Sequence, residues 1–126
     1  MAEHLFLHYS RPRPAWYNLT EEERARLVGR WESLDECSAK SGARHLGTWS
    51  VRGQGDYSLV RVWVFAAAED VLAYWGALVE ADYPEWFATS NVLGAPVPDG
   101  TSVVLGLAKG PATAVGGDRA GGAAKP

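Results

Sequence analysis

Tyr57-Ser58-Leu59-Val60-Arg61-Val62-Trp63-Val64-Phe65 is dense in β-branched and aromatic residues, and its reading decides the fold. Gly53-Gln54-Gly55-Asp56 ahead of it supplies a turn, and Ala43 to Val51 upstream alternates weakly. Together these predict two antiparallel strands joined as a hairpin. Further upstream, Thr20 and Glu23 form an S/T-x-x-E capping box, with Glu21, Glu22 and Glu23 at the positive end of the helix dipole. Leu27, Trp31, Leu34 and Ser38 then recur at three and four residues, so a helix is expected to about Lys40, stopped by Gly42. The opening His4-Leu5-Phe6-Leu7-His8-Tyr9 reads as a strand ended by Ser10-Arg11-Pro12-Arg13-Pro14.

Downstream of the hairpin, Val71, Trp75, Leu78 and Tyr74 share a face of a helix expected from about Ala68 to Ala81. Pro84 opens a short extra turn containing Trp86 and Phe87. Thr89 to Leu93 and Thr101 to Leu107 compete as the last strand. The order strand, helix, strand, strand, helix, strand is the ferredoxin-like βαββαβ unit, an α+β fold with an antiparallel sheet and both helices on one face. Residues 1–107 are expected to form this single domain, and the Gly/Ala/Pro-rich residues 108–126 a flexible tail.

Composition narrows the function. The 126 residues carry 12 Lys+Arg against 15 Asp+Glu, a net charge of -3, which argues against nucleic-acid binding driven by bulk charge. One cysteine, Cys37, cannot form an internal disulfide. The N-terminus lacks the basic region of a secretory signal, and no apolar run reaches the roughly 18 residues of a membrane span, so a cytoplasmic protein without membrane partners is expected. Six tryptophans are the anomaly.

Alternation divides each strand into two rows. The compact rows Leu5, Leu7, Tyr9 and Ser58, Val60, Val62, Val64 suit a position under the helices. That assignment leaves His4, Phe6, His8, His45, Trp49, Tyr57, Arg61 and Trp63 on the opposite face. Such an aromatic face calls for a ligand or a second copy of the chain.

The ferredoxin-like order, the segment Leu7 to Pro14, the strand from Asp56-Tyr57 to Val62-Trp63 and the ending Trp86-Phe87 to Asn91-Val92 resemble the dimeric α+β barrel superfamily. Over residues 3–95 the chain is similar to small bacterial darcynin-like proteins and to antibiotic-biosynthesis monooxygenase and cyclase barrels. The resemblance implies a homodimer with an aromatic-lined pocket. Members of the superfamily include cofactor-free monooxygenases, polyketide cyclases, lactone isomerases and haem-binding or haem-degrading enzymes.

The candidate chemistry is limited. His4 and His8 on a strand lie roughly 13 Å apart, too far to share one metal ion, and no metal site is expected. His8 is expected near His45 if the first two strands are neighbours, and a neutral imidazole in an apolar pocket is a competent general base. Arg61 on the same row needs a carboxylate such as Asp56, a partner across a dimer, or an anion that it stabilises. Phe6, Trp49, Tyr57, Trp63 and Trp86 are the expected walls for a flat ligand, with Trp31 and Trp75 in the core. Arg11-Pro12-Arg13-Pro14 reads as a solvated basic loop or a gate. Cys37, beside Asp35 and Glu36, is a poor nucleophile, and Gly53-Gln54-Gly55 lacks the rest of a phosphate loop.

The expectation is a tailoring enzyme of secondary metabolism acting, without a cofactor, on a hydrophobic aromatic or polyketide-like metabolite. His8 or His45 would abstract the proton and Arg61 would stabilise the anion, leading to oxygenation, cyclisation or isomerisation. The alternatives are a non-catalytic dimeric ligand-binding or interaction protein, and a haem-binding barrel with one histidine as axial ligand.

Overall fold

A computed structural model of the chain describes residues 3–53 and 55–97. In chain order the elements are β1 (His4–Pro12), a 3-10 turn (Pro14–Asn18), α1 (Glu21–Lys40), β2 (Arg44–Ser50), β3 (Leu59–Phe65), α2 (Ala68–Glu80), α3 (Tyr83–Trp86) and β4 (Phe87–Gly94). All of them fall within the compact unit of residues 1–95. The sheet is antiparallel with strand order β2-β3-β1-β4, the ferredoxin-like arrangement expected. Of the two segments competing as the last strand, the earlier one is β4. Thr101 to Leu107 and the expected tail at 108–126 lie outside the described residues.

Local chemistry sets the ends of the elements. The Glu23 amide donates to Thr20 Oγ1 at 3.0 Å and the Thr20 amide donates to Glu23 Oε1 at 2.9 Å, a complete capping box at the start of α1. Gly42, with φ at +107°, takes the chain out of α1 into β2. Asp82 adopts a left-handed conformation between α2 and α3, where Pro84 enters the first turn.

The sheet presents to the helices the row opposite to the one expected. Phe6, His8, Trp63 and Phe65 are buried, and they meet Tyr74, Trp75 and Tyr83 from α2 and α3. The physical reason is area. An aromatic ring removes more apolar surface from water than a valine, at about 25 cal/mol per Å², so the heavy row turns inward. The core continues through Trp31, whose indole N–H donates to the Ala81 carbonyl at 3.0 Å, to Trp16 and Phe87.

The face left open is therefore aliphatic. Register pairs Leu7 with Val62 on one side and Val92 on the other, flanked by Leu5, Tyr9 and Val64. Leu5 and Val92 are 40% and 44% exposed. A bulge in β2 changes one further assignment. His45 pairs with Trp63 and Gly47 with Val62, leaving Leu46 as the extra residue, and Trp49 then pairs with Val60. Trp49 thus leaves the His45 row for the open face and folds back over Gly47, where a Cβ would sit 2.9 Å from its ring. Gly47 has φ at +154°, so both backbone and space call for glycine.

Candidate functional site

β1 and β3 are neighbours, and His8 and Arg61 are register partners whose side chains both face the helices. β3 separates β1 from β2, so His8 and His45 do not adjoin as expected; His45 pairs instead with Trp63, its ring 4.9 Å away. Phe6 and Trp63 lie in the core beneath the helices, and Trp86 is half-buried against it. Tyr57 precedes β3 and crosses the open face, with its ring 6.3 Å from Tyr9 and its hydroxyl donating to the Thr89 carbonyl at 3.1 Å. The candidate residues thus divide: His8, Arg61, Phe6, Trp63 and His45 share the helix side, and Trp49 and Tyr57 the open side.

Two polar clusters organise the helix side. In the first, His8 Nδ1 meets Asn91 Oδ1 at 2.6 Å and Nε2 meets the Tyr83 hydroxyl at 3.0 Å. With Nδ1–H donating to the amide oxygen and the phenol donating to Nε2, the imidazole is neutral and fully satisfied. Burial, the leading cause, and the charge of Arg61 lower its pKa below the usual histidine value, against an opposing pull from Asn91. Burial likewise raises the Tyr83 hydroxyl. His8 is 1% exposed, while its partner Asn91 on β4 is exposed.

In the second cluster, Arg61 donates to Asp35 Oδ2 at 2.6 Å and to the Tyr74 hydroxyl at 3.3 Å, while Tyr74 donates to Asp35 Oδ1 at 2.5 Å. The partner of Arg61 is therefore Asp35 on α1, not Asp56. Burial pulls the guanidinium pKa down, but Tyr74 and Asp35 outweigh it and the net shift is upward. Burial, followed by the Asp35 charge, raises Tyr74 in spite of Arg61. The Arg61 guanidinium also sits 5.4 Å from the Trp63 ring centroid. His45 stands on the outer side of this cluster, exposed on the edge strand. Its ring makes a 3.3 Å contact between Nε2 and Thr48 Oγ1 and meets the Gly47 backbone. Partial burial and then the Arg61 charge lower its pKa.

Two cavities lie elsewhere. A cleft of about 200 Å³ and a shallower depression of about 450 Å³ both sit between α1 and α2, and neither is lined by His8, His45 or Arg61. The basic loop is tied down: Arg13 donates from its backbone to the Trp86 carbonyl and from Nε to the Pro84 carbonyl. Among the described residues no group of three or more His, Cys, Asp and Glu is placed to hold a metal ion, and no helix is long and apolar enough to cross a membrane.

Sequence reading missed Asn91, Tyr83, Tyr74 and Asp35 as polar partners. Tyr74 and Asn91 were visible only as a helix-face and a strand residue. Nothing local connects Tyr83 to His8, 75 residues away, or Asp35 to Arg61, 26 residues away.

No protein-family model matches the chain, and no curated protein does. Solved structures do. The fold is similar to chlorite dismutase from Candidatus Nitrospira defluvii in complex with imidazole, with a TM-score of 0.65 at 15% identity, covering 79% of this chain and 42% of that one. It is also similar to a haem-binding protein from Thermus thermophilus, with a TM-score of 0.62 at 12% identity, covering 75% of this chain and 40% of that one. The chain thus spans about two-fifths of the length of either. The likeness establishes the ferredoxin-like α+β fold. It also overturns the expectation of a cofactor-free enzyme acting on polyketide-like metabolites, because these neighbours are a chlorite dismutase and a haem-binding protein rather than a monooxygenase, cyclase or isomerase. Of the two histidines expected as the base, His8 has both ring nitrogens engaged, by Asn91 and Tyr83.

Proposed function

We propose that this chain binds haem as a homodimer whose subunits meet through the open sheet faces. The observation that carries the dimer is that face, an aliphatic surface on which Leu5 and Val92 are exposed and Leu7, Val62 and Val64 partly so. Contiguous apolar surface of this kind is normally covered. The length relation supports the same reading, since the chain spans 42% and 40% of the two similar structures.

Haem iron needs a neutral imidazole with an accessible lone pair. His8 does not fit, because Asn91 and Tyr83 engage both of its nitrogens inside the core. His45 does fit. It is exposed, its ring meets Thr48 at 3.3 Å and the Gly47 backbone rather than a second buried side chain, and its lowered pKa favours the neutral imidazole. Trp63 buttresses the ring at 4.9 Å, and the Asp35–Arg61–Tyr74 cluster fixes Trp63 in turn. Bound haem would supply an iron centre for ligand or redox chemistry; the chain's own residues hold His45 and keep it unprotonated.

A haemin titration of the purified chain followed by absorbance tests the reading. A saturable Soret shift, lost in His45→Ala and kept in Trp49→Ala, is the expected result. Absence of a shift, or its survival in His45→Ala, refutes the assignment.

A further inference from the structure

We propose that the cleft between α1 and α2 is a binding site for a small organic ammonium ion carrying one aromatic ring. The site is independent of the haem reading, since it contains no histidine and is too small for a macrocycle. Its floor is aromatic: Phe65 at the end of β3 and Tyr74 on α2 are 2% and 3% exposed. The Tyr74 hydroxyl is already held by Asp35 and Arg61, so it offers the cleft no polar partner. Ala73 and Ala77, one helical turn apart on α2, face Leu34 on α1, and their missing side-chain volume leaves the gap open. The resulting volume of about 200 Å³ exceeds the roughly 150 Å³ that accommodates a benzene ring, leaving room for a two-carbon arm.

The rim selects the charge of the occupant. Asp70 is the one charged residue lining the cleft, and among the described residues it makes no ion pair. Ser38, Cys37 and Ser41 form the opposite rim at the end of α1, where the Cys37 and Ser38 carbonyls already accept from Ser41 and Ala43, so this rim is polar and adds no free charge. A carboxylate ligand would meet repulsion from Asp70. An ammonium group would find Asp70 at the rim while its ring lies against the apolar lining of Leu34, Phe65, Ala73 and Ala77.

The test uses the full chain with three ligands of one shape: 2-phenylethylamine, 2-phenylethanol and phenylacetate. Binding is followed by amide chemical shifts. As a second readout, Cys37 lines the cleft and is exposed, so its alkylation rate by a small maleimide reports occupancy without any mutation. The amine is expected to shift residues of the cleft saturably and to slow Cys37 alkylation, and the alcohol and the acid to bind at least about tenfold more weakly, a difference of 1.4 kcal/mol. Asp70→Asn should remove most of that preference, and Ala73→Leu, at an exposed helix position that tolerates leucine, should abolish binding by filling the cleft. Equal binding of amine and alcohol, shifts that do not saturate, or unchanged Cys37 alkylation at saturating amine overturns the proposal.

Discussion

Replacing Arg61 by methionine separates a structural from a functional role for that residue. The guanidinium is bonded to Asp35 at 2.6 Å, and the two side chains are 21% and 24% exposed. Deleting one member of a fully buried pair costs about 3–5 kcal/mol, and the partial exposure of this one reduces the expected loss to about 2–3 kcal/mol. Methionine keeps an unbranched stem against Trp63, so the loss comes chiefly from the Asp35 carboxylate, left with Tyr74 alone. Removing both charges avoids that penalty, so Asp35→Leu combined with Arg61→Met should be less destabilised than the sum of the single variants by about 1.5 kcal/mol or more. Urea unfolding of the four proteins at pH 7 measures this cycle. A loss below about 0.5 kcal/mol for Arg61→Met, or strict additivity, would show that the cluster does not hold the fold. Arg61 would then be free for a ligand.

Tyr83→Phe removes the donor to His8 Nε2 in the core and should cost about 1–3 kcal/mol in the same assay; a loss indistinguishable from zero contradicts the closed His8 cluster. Because burial lowers the pKa of His8 below its reference of 6.5, the unfolded chain protonates first as pH falls. Its contribution to stability is complete above pH 6.5 and is lost as pH drops through the folded value, at no more than about 1.4 kcal/mol per pH unit. His8→Gln should flatten the stability profile below that pH, and identical profiles would refute the assignment. Leu7→Lys, in the middle of the open sheet face, should convert a dimer to a monomer in light scattering; an unchanged mass places any dimer contact elsewhere.

The elements were legible where the signal is local. Thr20 and Glu23 mark the start of α1 because a capping box is written in four consecutive residues, and the strand ending at Phe65 declares itself by composition. The polarity of the sheet was not legible. Alternation separates Phe6, His8, Trp63 and Phe65 from Leu5, Leu7, Val62 and Val64, but which row the helices cover depends on side-chain volumes contributed by Tyr74, Leu78 and Tyr83. The bulge at His45 and Leu46 was equally hidden, since it moves Trp49 across the sheet without changing the composition. As for the site, the sequence singled out His8, His45 and Arg61. Whether each was open or closed depended on Asn91, Tyr83 and Asp35, residues brought in by strand pairing and helix packing.

Sedimentation velocity of the haem-loaded chain, recorded at the Soret wavelength, tests the central claim most directly because it weighs only the species that carries haem. The account predicts one boundary at about twice the chain mass of 13.6 kDa, absent from His45→Ala. Soret absorbance moving with a single chain, or remaining with unbound haemin at the meniscus, would contradict it.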